Sequence, residues 1–325
     1  MTRVVVTGAA GFIGSHLVEA LLARGDEVVG IDNFDPFYDR SLKELNLADV
    51  AARFGEDALE FHEFDLLDGE RLERLLTPET VLVHLAAKAG VRPSILDPVG
   101  YARVNLTGTA AVLEAARRAG VSRVVFASSS SVYGDSTPAP FREDAPAVEP
   151  VSPYAATKRG GELFLSALAP IVGFRAAALR FFTVYGPRQR PDLAIHAFMR
   201  RMAEGKPLTL FGDGSQARDY TYCDDITAGV VAALDWTATA PVGMEAFNLG
   251  GNRPVPLRDM VAEVAAALGA EPVIQWAPMQ PGDVQHTFAD LTKSGRVLGY
   301  APRTAFPEGV RRFAEWFRET YARQR

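Results

Sequence analysis

The stretch Val4-Val5-Val6-Thr7-Gly8-Ala9-Ala10-Gly11-Phe12-Ile13-Gly14 decides the fold of this chain. Its β-branched run predicts a short strand, and the apolar positions at helical spacing from residue 13 to residue 22 predict a helix. Gly8 and Gly11 let the backbone between them bend and approach a ligand, while Gly14 permits close packing of helix on strand. Amide groups at the helix N-terminus, around Phe12 and Ile13, would face an anion such as a pyrophosphate. The stretch therefore predicts a dinucleotide-binding turn.

A second predicted strand, residues 27–31, ends at Asp32. This acid lies about 20 residues beyond the glycines, where a carboxylate is expected to bind the 2′-hydroxyl of an adenosine ribose. It would repel a 2′-phosphate, and neither Asn33 nor Phe34 after it is basic. The sequence therefore predicts NAD rather than NADP as the cofactor, with Asn33 among its contacts.

Strand and helix patterns continue to alternate up to residue 182. Further strands are predicted at residues 59–64, 81–85, 121–127 and 174–182, and a long helix at residues 101–119. This order is typical of an α/β fold of the Rossmann type, a doubly wound parallel sheet whose ligands bind beyond the carboxyl ends of its strands. The additional cofactor contacts predicted there are Asp65, Leu66, Leu85, Ala86, Ala87, Lys88, Asn105 and Phe181. For Asn105 a polar packing role is the alternative.

Beyond residue 182, prolines and glycines break the chain into short elements, with helical patterns at residues 226–236, 257–268 and 306–323. We expect a cofactor-binding domain at residues 1–180 and a smaller substrate-binding domain at residues 181–325. Part of residues 219–250 is expected to fold back onto the first domain.

Another short stretch, Ser152-Pro153-Tyr154-Ala155-Ala156-Thr157-Lys158, carries candidate chemistry. Ser152 suits a helix N-cap and Pro153 the first helical position, so Tyr154 and Lys158 should lie one turn apart on the same face. An ammonium beside a phenol stabilises the phenolate, so we expect the pKa of Tyr154 to fall from its ordinary value near ~10 toward neutrality. Tyr154 would then act as a general base.

The composition gives no support for nucleic-acid binding, disulfide bonding, a membrane span or a metal site. The chain has 325 residues, 48% of them hydrophobic, and a net charge of −6, which is enough for a sizeable core but gives no support for a nucleic-acid-binding surface. Cys223 is the only cysteine, so no intrachain disulfide can form, and no apolar run approaches the roughly 20 residues that span a bilayer. We expect a cytoplasmic protein. The five histidines show no ligand spacing, and no metal is expected.

Together the glycine spacing, Asp32, a serine after a later strand and Tyr154 with Lys158 resemble the extended short-chain dehydrogenase/reductase family of nucleotide-sugar epimerases, dehydratases and decarboxylases. The resemblance runs from Val4 to about Asp290. It implies that Ser129 bridges Tyr154 and a sugar hydroxyl, because Ser129 lies four residues before Tyr133-Gly134. With four serines in a row, a shift of one residue stays open. Lys158 would tune Tyr154 and fix the cofactor.

The same resemblance narrows the reaction. Members of this branch first oxidise a sugar at its fourth carbon, and dehydratases then use an Asp-Glu pair at the positions of Ser130 and Ser131. Decarboxylases carry a glutamate where Ser131 stands. Serines cannot act as that acid and base at neutral pH without help. The predicted outcome is therefore return of the hydride to the opposite face, which is 4-epimerisation.

Segments 181–187, 190–192 and 279–284 resemble the branch of the family that acts on UDP-glucuronate. Enzymes for the neutral sugar usually have asparagine at the position of Thr183 and arginine at that of Gln280. The alternatives are an epimerase for UDP-glucose or UDP-N-acetylglucosamine, a net dehydrogenase, and a non-catalytic nucleotide-binding protein.

Several residues are candidate contacts of the UDP-sugar. Ser130 and the short hydroxyl of Thr183 could face the sugar, and either Arg92 or Arg190 could pair with its carboxylate. By the resemblance Arg218 clamps the UDP phosphates and Asp283 holds the uridine ribose. Without the family resemblance, the sequence predicts a surface ion-pair residue at Arg218 and a turn residue at Asp283.

Gly160 and Gly161 interrupt the Tyr154 helix at about 1 kcal/mol each relative to alanine. Close packing of another helix would offset this cost, and in the family the equivalent helix pairs across a two-fold axis. The resemblance therefore implies a homodimer. A bend inside one subunit is the alternative.

Overall fold

A seven-stranded parallel sheet forms the centre of the computed structural model, which describes residues 1–278 and 287–323. The strands are β1 (Arg3–Thr7), β2 (Glu27–Asp32), β3 (Leu59–Glu63), β4 (Val81–His84), β5 (Arg123–Ser129), β6 (Arg175–Phe181), β7 (Thr183–Tyr185), β8 (Leu208–Phe211), β9 (Ala217–Tyr222), β10 (Gly243–Leu249), β11 (Pro254–Pro256) and β12 (Ile274–Ala277). The helices are α1 (Phe12–Ala23), α2 (Arg40–Phe54), α3 (Gly69–Leu75), α4 (Val91–Leu96), α5 (Pro98–Tyr101), α6 (Gly108–Arg118), α7 (Pro153–Val172), α8 (Ala194–Ala203), α9 (Cys223–Trp236), α10 (Leu257–Leu268), α11 (Thr292–Leu298) and α12 (Phe306–Arg323).

The order of the large sheet is β10-β6-β5-β4-β1-β2-β3, and every pairing in it is parallel. The inner strands β1, β4, β5 and β6 are largely buried because helices cover both faces of the sheet, whereas the edge strand β3 is partly exposed. Along β1, Val4 and Val6 pack into the core cluster that includes α1 and α9, whereas Val5 packs into the cluster that includes α6 and α7. This alternation confirms the predicted Rossmann-type sheet.

Two smaller sheets lie C-terminal to β6, with strand orders β11-β9-β7 and β12-β8. Strand β10, which follows β9 in sequence, returns to the large sheet. There its residues Gly243–Leu249 pair with β6. The core is continuous from α1 to α9, α10 and α12. The division at residue 180 stays a prediction.

The predicted long helix at residues 101–119 is not a uniform α-helix. A π-helical segment, Ala102–Thr107, joins α5 to α6 and contains the buried Asn105. Such segments often mark functional sites. Among the helices in the described part of the chain, none combines the length and the apolar character needed to cross a bilayer.

The paired glycines of α7 pack against neighbours in the same chain. A Cβ at Gly161 would lie 2.5 Å from Cζ of Phe126, and one at Gly160 would lie 2.8 Å from Cδ1 of Leu106. These neighbours account for both glycines, so the glycines themselves give no evidence for a partner helix.

Gly161→Ala should lower the free energy of unfolding by about 1–3 kcal/mol, because the added methyl group collides with the buried Phe126 ring. Gly160→Ala is the matched control. It should stay within about 1 kcal/mol of the parent chain, because alanine favours the helix and the end of the Leu106 side chain can rotate away. Urea unfolding followed by circular dichroism measures both. Equal stability of the two variants would contradict the packing argument.

Candidate active site

A cavity of about 610 Å³ opens at the carboxyl edge of the large sheet. Because the strands are parallel, the turns that follow β1, β4, β5 and β6 all meet at this edge. The sequence-predicted residues that line the cavity are Gly8, Gly11, Phe12, Ile13, Gly14, Asp32, Asn33, Asp65, Leu66, Leu85, Ala86, Ala87, Lys88, Arg92, Ser129, Ser130, Tyr154, Lys158, Phe181, Thr183, Arg190 and Arg218. Asn105 does not line it, and Asp283 lies outside the described residues.

The glycine turn after β1 requires its glycines. Gly8 has a φ of +75°, and a Cβ there would lie 2.9 Å from the backbone nitrogen of Ala86. A Cβ at Gly14 would lie 2.0 Å from the carbonyl oxygen of Gly8. Gly11 is the N-cap of α1 and provides no side-chain cap. The bare turn and the amides of the first helical turn therefore suit a bound phosphate group.

Asp32 at the end of β2 is buried and paired with Lys43 of α2. Oδ1 of Asp32 accepts hydrogen bonds from the backbone amide of Phe34 at 2.8 Å and from Nζ of Lys43 at 3.1 Å. Within the described chain these bonds leave Oδ2 as the oxygen for a ribose hydroxyl. Sequence reasoning missed Lys43, which is buried and lines the cavity. Lys43 follows Asp32 by eleven residues in sequence. The two side chains meet because α2 returns over the end of β2.

Asn105 holds the loop after β4 in place. Its Oδ1 accepts a hydrogen bond from the Lys88 amide at 2.8 Å, and its Nδ2 donates to the Lys88 carbonyl at 2.8 Å and to Oγ1 of Thr157 at 3.1 Å. These bonds engage both ends of the amide. The predicted cofactor contact therefore gives way to the alternative of polar packing.

Tyr154, Lys158 and Ser129 meet where β5 ends against α7. Ser152 caps the helix as predicted, since its hydroxyl accepts the Ala155 amide at 3.1 Å. Ser129 and Tyr154 line the same cavity, and the Ser129 hydroxyl acts on Tyr154 to lower its pKa. Nζ of Lys158 is buried and donates to the carbonyl of Ala127 at 2.7 Å.

The electrostatics of this pair differ from the expectation. Burial raises the pKa of Tyr154, while the hydrogen bond from Ser129 and the charge of Arg190 partly oppose that rise. Burial also lowers the pKa of Lys158 to about 7. The prediction that Lys158 lowers the pKa of Tyr154 is wrong for the chain by itself, because its ammonium bonds Ala127 and the cation that acts on Tyr154 is Arg190.

Arg190 lies in an aromatic setting beside the tyrosine. It forms two bonds to Asp192, at 3.0 and 2.8 Å, and its guanidinium lies 4.9 Å from the ring centre of Phe37. Tyr101 donates its hydroxyl to the Ala89 carbonyl, and its ring meets that of Tyr154 edge-on at 6.3 Å. Sequence reasoning did not assign Phe37, Tyr101 or Asp192 to the site. The Arg190-Pro191-Asp192 spacing was the available signal for the last.

The remaining candidates line the same cavity. The guanidinium of Arg92 lies 5.3 Å from the ring centre of Phe211, and Nη1 of Arg218 donates to the carbonyl of Ala217 at 3.1 Å. Thr183 begins β7 and lines the same space. Two residues with cationic side chains and one with a hydroxyl therefore contribute to the cavity wall.

A cluster outside the cavity brings His16, Cys223 and Asp224 together, with donor atoms within 4.8 Å of one another. Burial raises the pKa of the Cys223 thiol well above its ordinary value, and burial together with the charge of Arg188 lowers the pKa of His16. A neutral thiol and a neighbouring guanidinium both disfavour a cation. The expected absence of a metal stays a prediction.

The Rossmann sheet, with a bare glycine turn and a serine, tyrosine and lysine at one edge, defines a nucleotide-dependent enzyme of the short-chain dehydrogenase/reductase type. Residues 4–250 match the NAD dependent epimerase/dehydratase family, and the chain belongs to that family.

Relatives of this chain cover it almost completely. It is 37% identical to a UDP-glucuronate 4-epimerase of Thermodesulfobacterium geofontis, over 97% of this chain and 96% of that one. A crystal structure of UDP-glucuronic acid 4-epimerase from Bacillus cereus, in complex with UDP-glucuronic acid and NAD, is similar with a TM-score of 0.91 and 37% identity, covering 98% of this chain and 100% of that one. DesIV of Streptomyces venezuelae, a dTDP-glucose 4,6-dehydratase, is similar with a TM-score of 0.89 and 33% identity, covering 99% and 98%. Overall shape is therefore shared between different reactions.

Asp32→Ala should weaken NAD binding by about 10- to 100-fold, because a hydrogen bond to a charged acceptor is lost. It should also narrow the preference for NAD over NADP, because the buried Lys43 is left as a free cation that attracts a 2′-phosphate. Titration calorimetry with each cofactor measures both effects.

The double variant Asp32→Ala with Lys43→Met is the matched control for this prediction. It should lose NAD affinity to a similar extent without gaining affinity for NADP. Equal gains in NADP affinity in the single and double variants would show that Lys43 plays no part.

Proposed function

We propose that this protein is an NAD-dependent UDP-sugar 4-epimerase that interconverts UDP-glucuronate and UDP-galacturonate. The observation that carries the proposal is that Ser129, Tyr154 and Lys158 line the same cavity as the glycine turn, with serines at positions 130 and 131. Its expected cytoplasmic location stays a prediction from composition.

The residues at the cofactor end fit NAD. The turn at Gly8 and Gly14 has no room for a side chain, and Asp32 offers a carboxylate oxygen to a ribose diol. Bound NAD would supply the acceptor and donor of the hydride, and its positive charge would favour the phenolate of Tyr154.

The chain itself handles the proton. The oxygen of Tyr154 removes the proton of the 4-hydroxyl as the sugar is oxidised, and returns a proton to the oxygen when the 4-keto sugar is reduced. Ser129, which acts on Tyr154 from the end of β5, relays this proton. Lys158 is held at the strand end by Ala127 and contributes positive charge to the cofactor side of the site.

The acids of the cavity support epimerisation over dehydration. Among the described residues that line it, the carboxylates are Asp32, Asp35, Asp65 and Asp192. Asp32 pairs with Lys43, Asp65 accepts a bond from Asn33 at 3.2 Å, and Asp192 pairs with Arg190. Elimination of water needs an acid and a base beside the reacting carbons. The serines at 130 and 131 supply neither.

Of the two arginines left open for the sugar carboxylate, we favour Arg190. Its charge acts on Tyr154, so it lies near the reacting end, and its planar fork can exchange Asp192 for a substrate carboxylate. Thr183 lines the same space and could donate a further hydrogen bond. Arg218 keeps its proposed role at the UDP phosphates. The proposed contact of Asp283 with the uridine ribose falls on a residue outside the described chain.

Offering UDP-glucuronate, UDP-glucose and UDP-N-acetylglucosamine separately, and following the sugar protons by NMR, tests this function. The acidic sugar should be epimerised fastest, without accumulation of NADH. Tyr154→Phe should lower kcat by about 10²- to 10⁴-fold, because the group that transfers the proton is lost, while UDP-sugar binding is kept.

The competing functions give different results in the same experiment. Preference for a neutral sugar would overturn the carboxylate assignment. Steady growth of NADH absorbance would indicate a net dehydrogenase, and identical spectra for the parent and Tyr154→Phe would indicate a non-catalytic protein.

We also propose that the protein forms a homodimer through an apolar patch on α4, α5 and α7. Leu96 is 88% exposed, Val99 78% and Ile171 78%, and Leu163 and Phe164 are also exposed. These helices pack against one another, so the patch is shared by neighbouring elements. A cluster of large exposed apolar side chains is typical of a protein interface.

Leu163→Asp with Phe164→Asp should convert the dimer to a monomer, because two charges would be buried at the interface. Size-exclusion chromatography with light scattering measures the mass. Val242→Asp, at a 54% exposed apolar residue outside the patch, is the control and should leave the dimer intact. A monomeric parent chain would refute the proposal.

A further inference from the structure

The last three residues of β5 each act on a different polar side chain of α7. The carbonyl of Ala127 accepts Nζ of Lys158 at 2.7 Å, and Oγ of Ser128 donates to Oε1 of Glu162 at 2.6 Å. The next hydroxyl, of Ser129, lines the same cavity as Tyr154 and lowers the pKa of that tyrosine. Tyr154, Lys158 and Glu162 are four residues apart, so they share one face of the helix. Glu162 therefore completes a row whose other two members belong to the reaction.

Glu162 is fully buried, with 0% exposure, and its carboxylate is saturated with donors. Besides Ser128, its Oε1 accepts Nε of Arg180 at 2.9 Å, and its Oε2 accepts Nη2 of Arg180 at 3.0 Å and Nη1 of Arg159 at 2.7 Å. Arg180 lies on β6 directly opposite Ser128 of β5. One carboxylate thus joins two adjacent strand ends to the helix that carries the reacting tyrosine.

A buried ion group of this kind is costly to desolvate, and replacing it by apolar side chains is often neutral or favourable for stability. A fold that needed only stability at this position could use a hydrophobic residue. An apolar side chain could not supply a negative charge one helical turn beyond Lys158.

We propose that Glu162 is a positioning residue for the epimerase reaction: it fixes the strand end that carries Ala127 and Ser129, and its charge keeps Lys158 protonated. This inference rests on the proposed function. Glu162 lies behind the reacting groups and does not line the cavity.

The charges around Lys158 support the second part of this role. Burial lowers the pKa of Lys158, and Glu162 opposes that effect. From β4, His84 faces the lysine as a neutral ring, because burial and the charge of Lys158 lower the pKa of His84 to about 3. From β5 the ring of Phe126 lies 5.2 Å from the ammonium. On α7 itself, Tyr154 lies one turn before Lys158, and Arg159 follows the lysine directly.

The groups that face Glu162 define how it can be tested. Arg180 from β6 and Arg159 from its own helix are its cationic partners, and Ser128 from β5 is its neutral one. Removing the charge of Glu162 leaves burial unopposed at Lys158. Removing Arg159, whose side chain is 25% exposed, leaves the negative charge less neutralised. The two changes should therefore act on Lys158 in opposite directions.

The test is the pH dependence of kcat for 4-epimerisation in the parent, Glu162→Gln and Arg159→Gln. Activity that needs protonated Lys158 falls as pH rises through the pKa of that lysine. Glu162→Gln keeps the shape of the side chain and an acceptor for Ser128, and should move this basic limb to lower pH by roughly one unit, with about tenfold lower kcat on the limb. KM for the UDP-sugar should change little. Arg159→Gln should move the limb to higher pH.

The outcomes separate the inference from the proposed function. A parent chain without epimerase activity refutes the function itself. Suppose that the parent is active and that Glu162→Gln lowers kcat while its basic limb coincides with that of the parent. Glu162 then has only a structural role, and the inference is overturned. If Glu162→Gln does not fold, Arg159→Gln decides, and an unmoved or more acidic limb in that variant overturns it as well.

Discussion

The hydrogen bonds between the end of β5 and the buried face of α7 are the interaction on which the rest of the site depends. β5 lies inside the sheet, bonded to β4 on one side and β6 on the other, so its last residues have little freedom. The helix is fixed against this end by the bonds of Ala127 and Ser128, and it is capped at its start by Ser152. The position of Tyr154 relative to the cavity follows from those contacts. A rigid strand end, rather than a loop, therefore holds the helix that carries Tyr154.

A second set of buried polar bonds ties the cofactor end to the same sheet edge. Oγ1 of Thr7 lies 2.7 Å from Nδ1 of His84 and accepts the Ala86 amide at 3.2 Å, while Nε2 of His84 lies 3.1 Å from Oγ1 of Thr109. Thr109 in turn donates to the Asn105 carbonyl at 2.6 Å. Since that carbonyl can only accept, the neutral His84 must donate from Nε2 and accept at Nδ1. The network joins β1, the loop after β4 and the π-helical segment. It therefore fixes the distance between the glycine turn and the loop after β4.

The charged side chains at the cavity wall form ion pairs whose members can also bind a charged or polar group of a ligand. Lys43 with Asp32, and Arg190 with Asp192, each place a cation beside an acid at the cavity wall. Burial raises the pKa of Tyr154 and lowers that of Lys158, so burial acts against the charged form of each, and Glu162 opposes this effect at Lys158. A cationic cofactor and an anionic sugar would each shift that balance. The similarity in shape to a dTDP-glucose 4,6-dehydratase shows that one scaffold serves different reactions.

The sequence by itself determined the sheet, the glycine turn, the acid after β2 and the row from Tyr154 to Lys158, because each depends on local spacing: alternation of strand and helix, glycines where a side chain cannot fit, and four-residue steps along a helix. The same local rules do not report distance through space. They could not show that Lys43 pairs with Asp32, that Asn105 holds a loop instead of a ligand, that Phe126 fills the space at Gly161, or that Arg190 rather than Lys158 acts on the pKa of Tyr154. Only the tertiary structure decided these, because burial and electrostatic neighbours are set by which strand ends and helices the fold brings together.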